Sequence, residues 1–378
     1  MSTNNCKIDR EKSFPVYYQI IALCLLFLFP AYIFGQNTDE WAFQQPQEAK
    51  GADKSLVAKI ESDVIIPGAS HEALWVHPEV VTIPGDPIIC ELRARETDRR
   101  GKDQHTTWHY FQSADFFASL QPIEEPEAPA WSRIGLSPAK IADSPKHGLK
   151  LPANINHTWA SAYLHLGGDT VLQAFTTKDP EDGSYTVQSM ALLKEKDHFR
   201  LLYLSNTWTN ETGRGLYEPQ IAVYKGNFYM TARAEDGHGY LLVSRDRGRS
   251  WEEPRPWTWD NGEEIPMNQT MTKLLAHSEG LVLVYTRIRE DNEQTFRHRA
   301  PLHIADLDPV NLHLLKETER IVVPDQGLAV GNFWVWPVNE QESYVVTAEW
   351  PRDGRKENGD IWLVKVIWRS PNKLMKHR

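Results

Sequence analysis

Five polar side chains stand at the heads of five apolar, strand-like segments: His77, His157, Glu218, Gln269 (with Asn268 beside it) and Asn332. Imidazole moves protons near neutral pH, a carboxylate acts as base or nucleophile, and amides orient hydroxyl groups through hydrogen bonds. Tyr217, next to Glu218, adds a phenol able to give up a proton or to stack on a sugar ring. Such a set suits a polyhydroxylated ligand. His105 and His109 are four residues apart, a metal-ligand spacing on a helix, but HTTWH has strand character. On a strand that spacing only puts both rings on one face, so no metal site and no cofactor are expected, and His109 is a ligand-contacting candidate instead.

What must position these groups is a repeated hairpin. A short strand, a tight turn and a second apolar strand recur as HPEVVTI-PGDP-IICEL, HTWASAYLHL-GGD-TVLQAF, EPQIAVY-KGN-FYMTAR, QTMTKLLAH-SEG-LVLVYTR and NFWVWPV-NEQE-SYVVTAEW. Their starts follow one another at 80, 61, 51 and 63 residues, and a further β-rich stretch follows each hairpin. Units of about four strands at this period predict an all-β fold, a β-propeller, rather than a sandwich. Five inner hairpins are visible. The 80-residue interval is long for one blade and contains a Pro-rich stretch, SLQPIEEPEAPAWSRIGLSPAKIADSPKHGLKLP. Six blades are expected, with five as the alternative. The segment LVAKIESDVII (residues 56–66) can pair with the last C-terminal strand and close the ring, leaving no open edge. In such a ring the inner strands begin around one mouth of the central channel, so the five polar groups converge there.

Ser244-Arg-Asp246-Arg-Gly248-Arg-Ser250-Trp251 matches the Asp-box pattern S-x-D-x-G-x-[ST]-W, and Ser113-Ala-Asp115-Phe-Phe-Ala-Ser119-Leu120 is a degenerate copy without the Gly and Trp. On these segments and the repeat, the chain resembles the sialidase-like superfamily of Asp-box (BNR-repeat) propellers across about residues 70–370. The resemblance implies a carbohydrate-active propeller. It makes Glu218 the active carboxylate at the start of YEPQIAVYKGNFYMTAR and Arg233, at the end of that hairpin, a substrate-binding arginine. It makes Arg299, before APLHIADLDP, a second such arginine, with Arg297 and Arg287 as looser matches. The family's acid lies in a loop after the first hairpin, where Asp98 is the candidate, with Glu96 and Asp103 nearby; the surrounding run RARETDRRGKD overhangs the rim, where its arginines can meet an acidic sugar.

Two departures from true sialidases stand out. Their first inner hairpin opens on an Arg-Ile-Pro-type triplet, where this chain has His77-Pro78-Glu79. Their nucleophilic Tyr opens a late inner hairpin, where this chain has Gly331-Asn332-Phe333-Trp334; Tyr344 lies in the returning strand. His77, or an acid from the 96–103 run, is then the proton donor.

The chain has 378 residues, 41% hydrophobic and 24% charged, which excludes a disordered or collagen-like protein. Its 41 Lys+Arg against 51 Asp+Glu give a net charge of −10, which disfavours nucleic acid as a partner. Of three cysteines, Cys6 and Cys24 precede the body and Cys90 stands alone, so no internal disulfide framework is expected. Residues 1–35 read as a signal peptide, with an apolar run from Val16 to Phe34 before Gly35, and a signal anchor is the alternative. Residues 36–55 read as a polar linker, and 56–378 as one propeller domain. The expected protein is secreted or periplasmic, without stable membrane insertion once the signal is removed, and monomeric. Its expected ligand is an oligo- or polysaccharide with an acidic sugar. The leading expectation is a glycoside hydrolase acting on a terminal sialic or uronic acid; the alternatives are a propeller polysaccharide lyase and a non-catalytic glycan- or protein-binding propeller.

Overall fold

A computed structural model describes residues 55–68, 74–83, 85–97, 105–126, 141–144, 148–158, 162–196, 198–267, 270–350 and 359–375. All of these fall in one compact unit. The signal-peptide segment 1–35 and residues 36–54 of the linker lie outside them, as do Asp98, Asp103, Asn268 and Gln269. No helix among the described residues is long and apolar enough to cross a membrane.

Five antiparallel sheets are arranged as a five-bladed β-propeller. Blade one runs outward from the channel as Leu74–Ile83, Ile89–Thr97, His105–Ser113 and Gln121–Ile123. In blade two the inner strand is broken: Ile155–Asn156 and Leu164–Gly167 both pair with Thr170–Lys178. Tyr185–Lys194 and Phe199–Leu204 follow, with Ile141–Ala142 parallel at the outer edge. Blade three is Tyr217–Tyr224, Asn227–Arg233, Gly239–Ser244 and Arg255–Pro256. Blade four is Lys273–His277, Gly280–Tyr285, Leu302–Asp308 and His313–Leu314, with Arg320–Val323 also on the third strand. Blade five is Ala329–Pro337, Glu342–Trp350 and Ile361–Trp368, completed on the outside by Val57–Ile66.

Of the two expected counts, five holds and six does not. The long interval after His77 adds no further sheet among the described residues: the connection contributes only the two-residue strands Ile141–Ala142 and Ile155–Asn156, both absorbed by blade two. The closing strand behaves as its sequence requires, with Val57 opposite Trp368 and Ile66 opposite Ile361. Ser55, at the end of the expected linker, already belongs to the fold: it is 1% exposed and its hydroxyl donates to Asp306.

The inner and second strands are largely apolar because each blade is packed between two others. Residues such as Leu283, Val345 and Phe228 are fully buried in clusters between neighbouring sheets, each contributing roughly 1.5–3 kcal/mol. The Ser244–Trp251 segment forms a tight turn beyond the third strand of blade three. Asp246 accepts from the backbone N–H groups of Arg249 (3.0 Å) and Ser250 (2.9 Å) and from the hydroxyls of Ser244 and Ser250. Gly248 takes φ +78°, and Trp251 is buried toward blade two, its indole N–H on Ser189 Oγ at 2.9 Å. The degenerate copy folds the same way, with Ser119 N–H donating to Asp115 at 2.9 Å and Phe117 at φ +66° where the other turn has glycine. Asp246→Ala strips two backbone donors and two hydroxyls of their acceptor. A loss of about 2 kcal/mol is expected, read as a lower urea midpoint at unchanged m; an unchanged midpoint would show that the turn does not hold the blade.

Candidate functional site

Each inner strand that can be followed carries the same local distortion. His77, His157, Glu218 and Asn332 all have left-handed backbones, with φ of 51°, 49°, 52° and 53°. In blades one, three and five the pairing register slips at that point, between Val76 and Glu79, Tyr217 and Gln220, and Gly331 and Trp334. A bulge with a non-glycine residue at positive φ costs on the order of 1 kcal/mol, and it re-aims the side chain out of the sheet's alternation. Four equivalent positions in the repeat carry this cost. The corresponding position of blade four, Asn268–Gln269, lies outside the described residues.

The contacts tie the expected residues together. Glu218 and Arg233 are 8% and 6% exposed, and Arg233 Nη1 donates to Glu218 Oε2 at 2.8 Å across the ends of one hairpin. Burial works against ionisation of Glu218, but the charge and hydrogen bond of Arg233, with the charge of Arg299, outweigh it and hold the carboxyl below its ordinary range. Arg299 is buried against blade five. A Cβ on Gly331 would meet its Nη1 at 3.1 Å, so the glycine leaves room for the guanidinium. Burial, and next the charge of Arg233, push Arg299 down to about 9. On the far side, Asn332 Nδ2 lies 3.3 Å from His77 Nε2, joining blades five and one. His157 is held by Thr176 Oγ1 at 2.7 Å and packs against Tyr185 and Tyr217, with ring centroids 5.0 and 5.9 Å away. Burial lowers its pKa, against the attraction of Glu218, so the ring is neutral at neutral pH.

Other expected residues are placed elsewhere. Tyr217 is only 1% exposed, and its hydroxyl donates to Glu235 (3.2 Å) while accepting from Arg214 (2.8 Å). Burial raises it to about 12. Its phenol supports the site, its ring lying 4.8 Å from the Arg233 guanidinium, rather than presenting a proton to it. His109 sits on the third strand of blade one, bonded to Glu96 at 2.9 Å and edge-on to Trp75. Arg287 is committed to a two-pronged pair with Glu319 at 2.7 and 2.8 Å. Tyr344 is fully buried with its hydroxyl on Glu342, so it does not replace Asn332 at the mouth.

Lys273 and Glu79 were not anticipated. Lys273, on the inner strand of blade four, is 2% exposed, and its Nζ lies 4.4 Å from the centre of the Trp334 ring. Burial lowers it to about 8, opposed by the attraction of Glu79 and Glu218. Glu79 is paired with Arg93, yet burial still raises its pKa. Lys273 borders a mainly apolar cavity of about 70 Å³, lined by Leu275, Trp334, Trp336, Leu374 and Met375 together with Gln220, His165 and Asn372. The site is a polar, cation-rich mouth beside a mainly apolar cavity. No group of three His, Cys, Asp or Glu side chains among the described residues could hold a metal ion.

No protein-family model matches the sequence, and no curated protein matches it. Among solved structures, the chain is similar to a protein of unknown function from Dyadobacter fermentans, at 13% identity and TM-score 0.51, over 82% of this chain and 99% of that one. The likeness is one of fold. Lower in similarity are a Trypanosoma rangeli sialidase in complex with sialic acid (13% identity, TM-score 0.41) and the GH43_1 enzyme from Xanthomonas citri complexed with xylotriose (10% identity, TM-score 0.42). The alignment covers 79% of this chain but 45% of the sialidase, and 82% of this chain and 90% of the Xanthomonas enzyme.

Proposed function

We propose that the protein is an exported, carbohydrate-active propeller, a glycoside hydrolase that removes a terminal sugar carrying a carboxylate. The observation that carries this reading is the buried arginine pair beside Glu218. Two guanidiniums that raise each other's cost in a dry site are relieved by an anion, and a carboxylate matches their planar donor edges. Glu218 then acts on an attacking water. The water oxygen bonds to the anomeric carbon, its proton passes to Glu218, and the glycosidic oxygen leaves with a proton from His77. Tyr217 takes no part, because it is engaged with Arg214 and Glu235, and Asn332 occupies the rim position where the family has its tyrosine.

His157 supports a second reading. A neutral imidazole fixed through Nδ1 beside cations that hold a uronate carboxylate is suited to removing the neighbouring C5 proton, the first step of a lyase elimination. One screen separates the readings. Incubation with sialyl- and uronyl-terminated glycans is expected to release free acidic sugar. Growth of absorbance from a 4,5-double bond would replace the hydrolase with the lyase, and saturable binding without product would leave a binding module. Neither binding nor product with any acidic sugar would remove the proposal.

A further inference from the structure

Among the described residues, four of the five blade boundaries are sealed by an apolar cluster and one is not. The clusters join blades two and three, three and four, four and five, and five and one. The remaining face of blade one is mainly polar, although Trp108 and, from blade two, Ala162 also pack against the cluster of blades five and one. Gln112 donates to Glu91 at 2.8 Å, Arg93 donates to Glu79, and the guanidiniums of Arg93 and Arg95 lie 4.2 and 4.4 Å from the centre of the Trp108 ring. Register orders this row along the blade, with Glu91 opposite Val81, Arg93 opposite Glu79 and Arg95 opposite Val76. Arg95 is therefore the member nearest the rim that carries His77. Arg93 is held by Glu79, whereas Arg95 lies against the indole, an arrangement that leaves a guanidinium's in-plane donors directed sideways. Trp108 and Arg95 are both half-buried, so each keeps a surface that a ligand can reach.

We infer that Arg95 and Trp108 form a second subsite beside the mouth, which takes a further acidic residue of a glycan chain whose terminal residue sits at Arg233 and Arg299. The inference rests on the mouth being an acidic-sugar site, and it makes the ligand a polyanionic chain rather than a lone acidic sugar. A chain of net charge −10 repels polyanions on average, so such a ligand needs a local guanidinium such as Arg95 where it binds.

The test is titration calorimetry with galacturonate, with tetragalacturonate and with sialic acid, at two salt concentrations, on the wild type, Arg95→Gln and Arg95→Lys. Arg95→Gln should bind the tetramer about fivefold more weakly, with a shallower salt dependence, and the monomer unchanged. Arg95→Lys should keep most of the salt dependence. In the wild type, tryptophan fluorescence should respond to the tetramer more than to the monomer, and Trp108→Phe should abolish the difference. Equal loss for monomer and tetramer, or no loss for the tetramer, would overturn the subsite. If the tetramer binds and is weakened by Arg95→Gln while neither galacturonate nor sialic acid ever binds, the subsite stands and the reading of the mouth falls. If galacturonate, tetragalacturonate and sialic acid all fail to bind, both fall.

Discussion

Glu218→Gln is expected to lower release of the terminal acidic sugar by about a thousandfold while leaving its binding within a fewfold of wild type. General-base catalysis contributes about that much, and the amide cannot accept the water's proton. The amide oxygen still accepts from Arg233, so the 2.8 Å contact survives without its charge. Removing one charge of a buried pair leaves the other uncompensated, which costs up to about 3–5 kcal/mol when no acceptor remains. With the acceptor kept, a loss of about 1–2 kcal/mol is expected in the unfolding midpoint. Bound sugar should restore part of that loss, because its carboxylate replaces the missing charge beside Arg233 and Arg299. A variant with wild-type turnover would show that Glu218 is a structural partner of Arg233 and nothing more.

Lys273→Met should move stability and binding in opposite directions. In the folded protein Lys273 titrates at about 8, below the ordinary lysine value of 10.5. A lysine lowered in this way makes folding less favourable at every pH below its folded pKa. That burden shrinks as pH rises from about 8 to 10.5 and is gone above it. The attractions of Glu79 and Glu218 are already included in that balance, and methionine fills a similar volume against Trp334. At pH 7 the variant should therefore be more stable, by on the order of 1–3 kcal/mol. The wild type should close the gap between pH 8 and 10.5. Affinity for an acidic monosaccharide should fall about tenfold at pH 7, the worth of one charge-assisted contact in a dry site. Wild-type affinity should decline as pH rises through 8, when the ammonium loses its proton. A destabilised variant, or unchanged affinity, would remove Lys273 from the site.

The ring of polar residues was legible in the sequence because the repeat itself marks equivalent positions. Once hairpins are aligned, His77, His157, Glu218 and Asn332 fall in register, and the structure gives all four the same left-handed backbone. Lys273 was not legible in that way. It lies within the strand QTMTKLLAH, where one polar residue between apolar ones reads as ordinary alternation toward solvent. In a propeller an inner strand has no solvent face, so a charge there faces the channel or a neighbouring blade. That rule would have singled out both Lys273 and Glu79. Tyr217 misled for the opposite reason: adjacency to Glu218 suggested a shared role, but its partners Arg214 and Glu235 come from the flanking loops, which the hairpin pattern does not describe. Between five blades and six the sequence left the choice to a length, and a Pro-rich connection and a broken inner strand occupy the space that a sixth sheet would need.

The pairing of Val57–Ile66 with Ile361–Trp368 also has a kinetic side. The first strand of the propeller leaves the ribosome about 300 residues before its partner, as the register of Val57 with Trp368 requires. Until then it has no sheet to join, and its unpaired edge and apolar side chains are open to chaperones, to translocation machinery or to other copies of the chain. Contacts of such wide sequence separation are made late and slowly. The chain therefore stays unfinished through nearly all of its synthesis, and the ring can close only once its last strand is made.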